Sequence, residues 1–269
     1  MKPAFSLTST RKKTYKLPEK SSKAEYVRTN FNEIAQNYDL FNDLITFGMH
    51  RLWKKKVAVL TNIHKLSAGS FLDLCTGSGD IAIALYKNKK NHSGINILAV
   101  DFSSEMLKRF QSRLRQKNIE TEISLKEGDA EDLAFIPDSS LDGVTMGFGL
   151  RNVTDRKRCL NEIYRVLKPG GVFVNLDTGK VHNAAIRFFH DIFFEKIVPL
   201  IGRAIQGESH EMYEYLPESA RAYPSQAELK EELLACGFVS ADWKNLMFGS
   251  AVIHRAVKPP DAAALRNES

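Results

Sequence analysis

The chain has no uninterrupted apolar run near the roughly 20 residues that a membrane-spanning helix requires, so it reads as a soluble protein. It has only three cysteines, Cys75, Cys159 and Cys236, scattered and odd in number. They show neither a disulfide framework nor metal-ligand spacing, and read as reduced, buried thiols of a cytoplasmic protein. The seven histidines (His50, His64, His92, His182, His190, His210, His254) never fall three or four residues apart, so no metal site is expected. No G-x-S-x-G elbow supports serine hydrolase chemistry, and no secretory apolar segment opens the chain. Balanced charge in the body argues against a nucleic-acid partner. Residues 1–25 hold seven lysines and arginines against two glutamates and account for most of the net +6.

That basic stretch, 1–25, reads as a solvated, disordered tail. Attraction to anionic lipid on the inner face of a membrane is one alternative. A transit peptide is another, weakened by Pro3 and Pro18, which break helical periodicity. The remainder, 26–258, has the length and the apolar content (43% of the 269 residues are hydrophobic) for one α/β domain. Residues 259–269 read as a frayed end.

Asp73-Leu74-Cys75-Thr76-Gly77-Ser78-Gly79-Asp80 is the most informative segment. An apolar strand leads into it and the helical pattern Ile81–Leu85 leads out, the layout of a nucleotide-cofactor loop. Gly77-x-Gly79 with Ala82 also satisfies the dinucleotide form G-x-G-x-x-G/A. Asp73 argues against a pyrophosphate, because a carboxylate at the mouth repels an anionic ligand. It suits the ammonium and sulfonium of S-adenosylmethionine (SAM). Further strands are expected at 95–100, ending at Asp101; near 121–126, ending at Asp129-Ala130; at 142–148; and at 172–176. Ser103 is placed as a helix N-cap, and Lys168-Pro169-Gly170-Gly171 as a turn. The alternation predicts a doubly wound, mostly parallel sheet of seven strands. Two strands, 238–247 and 250–257, are too closely linked to be parallel and must form a terminal antiparallel hairpin.

Asp73, Gly77, Ser78, Gly79, Asp101, Phe102, Asp129, Ala130 and Gly147 form the candidate cofactor set. Asp101 would accept from ribose hydroxyls and Asp129 from an adenine amino group. Strand four ends in Gly147-Phe148-Gly149-Leu150-Arg151-Asn152, two glycines beside polar groups that suit a reacting centre. Residues 181–216 interrupt the α/β pattern with an apolar helical insertion. Its aromatic run, 188–194, reads either as core or as a channel for an apolar substrate.

These residues also carry a resemblance. Tyr38-Asp39-Leu40-Phe41-Asn42-Asp43-Leu44, Phe47-Gly48-Met49-His50-Arg51-Leu52-Trp53-Lys54, Phe148-Gly149-Leu150-Arg151-Asn152-Val153 and Tyr213-x-Tyr215-Leu216-Pro217-Glu218-Ser219 resemble blocks of the ubiquinone/menaquinone biosynthesis C-methyltransferases (UbiE/MenG type). The likeness runs from about residue 26 to 258. It implies SAM as methyl donor and contacts at Ser78, Asp101, Asp129-Ala130 and Gly147. It also implies transfer to a ring carbon of a polyprenylated quinol. Arg151 is then expected to stabilise a developing phenolate, with Asn152 on the ring oxygen; a water held by Arg151, Tyr38 or His50 could serve as base. Two positions depart from the family pattern. Gly147 stands where many members have serine, and Asp177-Thr178-Gly179-Lys180 where a Glu-Phe-Ser-Lys-Pro-like run is usual. The tail has no counterpart in the family. A methyltransferase for another small or lipid-like acceptor, a NAD-dependent oxidoreductase, and a catalytically silent SAM-binding subunit are the competing readings. Peripheral membrane contact and a homo-oligomer stay open.

Overall fold

The computed structural model describes residue 15 and residues 17–90, 94–206 and 212–261. Most of the basic tail therefore lies outside the described residues. Its last part does not: α1 spans Lys20–Ile34, so the ordered domain starts within the stretch read as tail. Two further helices, α2 (Tyr38–Thr46) and α3 (Met49–Leu60), precede the sheet. The corner between them consists of Phe47 and Gly48, both left-handed (φ 51° and 72°).

The alternating units follow: β1 (Gly69–Leu74), α4 (Asp80–Asn88), β2 (Ile95–Asp101), α5 (Ser104–Gln116), β3 (Ser124–Glu127), β4 (Leu141–Gly147), α6 (Arg156–Val166) and β5 (Leu167–Thr178). Ser103 caps α5 as expected, accepting from Met106 N at 3.1 Å. The segment 167–171 is an irregular start to β5, not a free turn. Leu167 pairs with Leu141 and Val172 with Gly143, so the ladder skips four residues around Gly170 (φ 77°). The insertion comprises α7 (Ala184–Ile192), a π-helical turn (Phe193–Ile197), α8 (Val198–Gln206) and α9 (Met212–Ala222). Then α10 (Gln226–Ala235), opened by a Ser225–Glu228 capping box, leads to β6 (Ser240–Leu246) and β7 (Ala251–Val257).

The strand order is β3-β2-β1-β4-β5-β7-β6. Strands β1 to β5 are parallel and β7 is antiparallel to both neighbours. The inner strands of the sheet are buried on both faces, and strand alternation sorts their side chains between them. Phe71, Val172, Val174 and Leu176 join Trp53, Val57 and Phe110 on one side. Leu72, Leu74, Val144, Met146 and Phe173 join Leu160, Leu229 and Phe238 on the other. The expected topology and terminal hairpin are both present. The carboxyl ends of β1, β2, β4 and β5 converge on one edge, with the turn after β3 beside them. In an open α/β sheet this edge holds the ligand crevice.

Candidate active site

Two cavities open at this edge. The first is walled by Cys75 and Gly77 after β1, Asp101 and Phe102 after β2, Asp129, Ala130 and Glu131 after β3, and Gly147, Phe148 and Asn152 after β4. Helix α1 covers it with Arg28 and Phe31, and Tyr38 of α2 adjoins them. Lys23 fastens this cover, donating to the carbonyls of Val153 at 2.7 Å and Arg151 at 3.1 Å.

Of the cofactor set, Gly77, Asp101, Phe102, Asp129, Ala130 and Gly147 line this cavity; Asp73, Ser78 and Gly79 do not. Asp73 is 1% exposed, so it is not the carboxylate at the mouth that its position suggested. It accepts from Thr76 Oγ1 (2.6 Å), Ala82 N (3.1 Å) and Thr145 Oγ1 (2.8 Å), locking the glycine loop onto the sheet. Burial raises its pKa to about 6 against the pull of those donors. Ser78 turns the opposite way and donates to Asp39 Oδ1 at 2.7 Å. Asp39 also receives Arg109, and Arg113 and Lys54 both pair with Asp80, so this charge cluster ties α2 and α3 to the loop. Gly79 packs against Phe110.

Asp101 is 5% exposed; its Oδ2 accepts from Gly77 N at 2.8 Å and its Oδ1 from Ser103 N at 2.9 Å. Burial also lifts this carboxyl to about 6, opposed by the same backbone donors. Cys75 adjoins the cavity in a left-handed conformation (φ 54°), and burial holds its thiol well above the usual range. Cys75 and Cys236 are only half-buried, contrary to expectation, while Cys159 is enclosed. A Cβ on Gly147 would lie 2.5 Å from Ile81 Cδ1. The isoleucine end thus occupies space that a larger residue at this position would need.

The second cavity is mostly apolar. Ile45 of α2, Trp53 of α3, Phe193 and Phe194 of the insertion, Leu216 of α9 and Met247 of the β6–β7 turn enclose it. Phe148 (φ 59°) is common to both cavities and forms the wall between them. Arg151 faces this second cavity, whereas Asn152 and Tyr38 face the first, so the three proposed catalytic residues are divided. Arg151 Nη1 donates to Asp177 Oδ1 at 2.7 Å and its backbone N to Oδ2 at 3.1 Å. Asp177 is fully buried. Burial disfavours the guanidinium charge, but Asp177 outweighs it and holds the Arg151 pKa above its usual value. Asn152 donates to Phe148 O at 3.0 Å and accepts from Tyr215 Oη at 3.1 Å, so its amide holds the turn together. His50 lines neither cavity; it is 1% exposed and paired with Asp43 at 2.8 Å, and burial lowers its pKa, keeping it neutral.

Asp177 and Thr178 were missed as site residues, although both end a parallel strand, where ligand-facing groups collect. Phe148 stood inside a motif but gave no sign that it divides two spaces.

Strand order, glycine turn and crevice define the SAM-dependent methyltransferase class. A SAM-dependent methyltransferase from Thermotoga maritima superposes with a TM-score of 0.56 over 86% of this chain and 99% of that one, at 19% identity. Haemonchus contortus phosphoethanolamine N-methyltransferase 2, solved with S-adenosyl-L-methionine, gives 0.55 over 77% of this chain and 53% of that one, at 16% identity. At such identities the likeness concerns the fold. The sequence model of the ubiE/COQ5 methyltransferase family matches residues 19–258, and the chain belongs to that family. A demethylmenaquinone methyltransferase of Leptospira interrogans is 42% identical over 92% of this chain and 98% of its own length. The ubiquinone/menaquinone biosynthesis C-methyltransferase UbiE of Methylococcus capsulatus is 37% identical over 88% and 93%. The protein is therefore a methyltransferase with SAM as donor.

Proposed function

We propose that the protein methylates a ring carbon of a polyprenylated hydroquinone, of the kind for which its relatives are named. The observation that carries this reading is the pair of cavities sharing Phe148: one ringed by strand-end carboxylates, the other apolar with one buried arginine on its wall. SAM in the first cavity supplies an electrophilic methyl group. Gly77 fits it there, because a Cβ on Gly77 would meet nothing within 4 Å, leaving its backbone open to close approach. Asp101 is placed to accept from the ribose hydroxyls and Asp129 from the adenine amino group.

The acceptor carbon becomes nucleophilic when its neighbouring hydroxyl ionises. A phenol of pKa ~10 is only about 0.1% phenolate at pH 7, a penalty of roughly 4 kcal/mol. Arg151, pinned by Asp177 with its Nε–H free of partners among the described residues, lowers that penalty. The hydroxyl proton leaves to water. The ring carbon forms a bond to the methyl group as the methyl–sulfur bond breaks, leaving a neutral thioether. Loss of the ring-carbon hydrogen as a proton and reprotonation of the oxygen restore the aromatic quinol, with one proton released net.

Transfer of label from methyl-labelled SAM to a demethylmenaquinol tests this directly; failure with both naphtho- and benzoquinol acceptors rejects it. The apolar cavity is the proposed seat of the prenyl chain, so an acceptor lacking the chain should show a KM raised at least about tenfold, each buried CH₂ being worth ~0.8 kcal/mol. An unchanged KM places the chain elsewhere.

Asp101 implies a pH dependence. SAM prefers the carboxylate as acceptor, so SAM affinity is full well above the carboxyl pKa of about 6 and falls as pH drops through it, by at most tenfold per unit. Calorimetry across pH 5–8 reads it. Asp101→Asn should bind more weakly at pH 8 and lose most of the slope; an unchanged slope rejects Asp101 as the titrating group.

Among the described residues no helix is long and apolar enough to cross a membrane. Elements that wall the apolar cavity nevertheless expose large side chains: Phe47 75%, Phe188 62%, Phe189 69% and Phe248 75%. We place the membrane contact on this face, where it admits a lipid substrate without an aqueous transit. Phe47→Ser/Phe248→Ser should reduce vesicle co-sedimentation severalfold while keeping SAM affinity; undiminished binding moves the contact elsewhere.

A further inference from the structure

Thr178 ends β5 and stands on the wall of the apolar cavity with Arg151. Its backbone N–H donates to Asp177 Oδ1 at 2.8 Å, the same oxygen that receives Nη1 of Arg151 at 2.7 Å. One carboxylate oxygen therefore fixes the two residues side by side. Thr178 Oγ1 and Arg151 Nε are both enclosed and, among the described residues, have no hydrogen-bond partner. An unpaired buried polar atom costs roughly 1–3 kcal/mol, and buried polar groups in folded proteins are nearly always paired. Two such atoms, on residues that line one cavity and bind a common carboxylate through other groups, point to a ligand oxygen. The guanidinium Nε–H only donates, and a threonine hydroxyl can also donate. What both can serve at once is an oxygen that gains negative charge. Asn152, the other candidate for this task, faces the donor cavity and has its amide oxygen taken by Tyr215.

We infer that Thr178 is a catalytic residue, its hydroxyl joining Arg151 Nε–H in a two-donor site for the acceptor oxygen that ionises during methyl transfer. The inference rests on the quinol reading and adds a residue to it. The bond changes are those given above; Thr178 keeps its own proton throughout and lends it only as a hydrogen bond. Its contribution is to the ionised oxygen, so it acts on kcat more than on SAM affinity.

The test compares wild type with Thr178→Val, which keeps the shape and removes the hydroxyl, and Thr178→Ser, which restores it. Thr178→Val should lower kcat about 10- to 100-fold at pH 7, with an unchanged SAM dissociation constant and a melting temperature no lower than that of wild type, and Thr178→Ser should recover most of the rate. A second readout needs no turnover. A chromophoric naphthol bound with S-adenosylhomocysteine reports its own ionisation by absorbance. Its bound pKa should be depressed by wild type and rise by about one unit, a tenfold change, in Thr178→Val. An unchanged naphthol pKa together with unchanged kcat overturns the role of Thr178. A wild-type protein that depresses the naphthol pKa through Thr178 but does not methylate the quinol keeps the two-donor site and overturns the acceptor instead.

Discussion

Arg151→Lys is expected to lower kcat by roughly 10²- to 10³-fold, the usual loss when a donor to a developing oxyanion is removed. Lysine keeps the positive charge that Asp177 needs, so the pair survives, but it has neither the planar fork nor the Nε–H. SAM affinity should stay within about threefold, because Arg151 faces the apolar cavity and the SAM cavity is walled by other residues. The more obvious Arg151→Gln is expected to confound the result. It leaves the fully buried Asp177 unpaired, and breaking such a pair costs about 3–5 kcal/mol. Arg151→Gln/Asp177→Asn removes both charges and should recover most of that stability without recovering turnover. Single-turnover transfer of labelled methyl, calorimetry with SAM and a thermal melt separate the three effects. Turnover in Arg151→Lys within a few-fold of wild type would reject the proposed role of Arg151.

Gly79→Ala should be strongly destabilising. Gly79 has φ 85°, and a Cβ there would lie 2.1 Å from Phe110 Cε2. Phe110 is fully buried in the cluster beneath α4 and α5 and has no room to withdraw. Overpacking of this kind costs about 1–3 kcal/mol, and the left-handed backbone adds roughly 1–2 kcal/mol. Urea unfolding should show a loss of about 2–5 kcal/mol. Gly77→Ala is the contrast. Its φ is also positive, at 55°, but the added methyl meets nothing within 4 Å and projects beside the cavity. Stability should fall by only about 1 kcal/mol, while SAM affinity drops clearly. Equal stability loss in the two variants would show that Phe110 yields.

The two glycines illustrate how far the sequence could be read. Gly77-x-Gly79 announced a cofactor loop, but spacing could not say that one glycine lines the first cavity and the other packs against the ring of Phe110 from α5. Asp73 shows the same limit. Its place in the motif suggested a carboxylate at the mouth of the cofactor site, yet the chain turns it inward, where it holds Thr76, Ala82 and Thr145. Ser78 likewise serves Asp39, because α2 folds back over the loop, a contact 39 residues apart in the chain. Asp101, Phe102, Asp129, Ala130 and Gly147 come together around the first cavity because the carboxyl ends of parallel strands converge. The irregular start of β5 was hidden by a Pro-Gly-Gly segment that also suits a turn.

The sequence by itself determined the doubly wound sheet, its terminal hairpin and the glycine loop after the first strand. Each follows from local periodicity, turn residues and the short β6–β7 link, and none needs a long-range contact to be inferred. Only the tertiary structure decided the division of the active site. Arg151 and Asn152 are adjacent in the chain but line different cavities, because Asp177 of β5 holds the arginine while Phe148 O and Tyr215 Oη hold the asparagine. Which neighbour reaches which ligand depends on packing between segments distant in sequence, and such packing leaves no periodic trace.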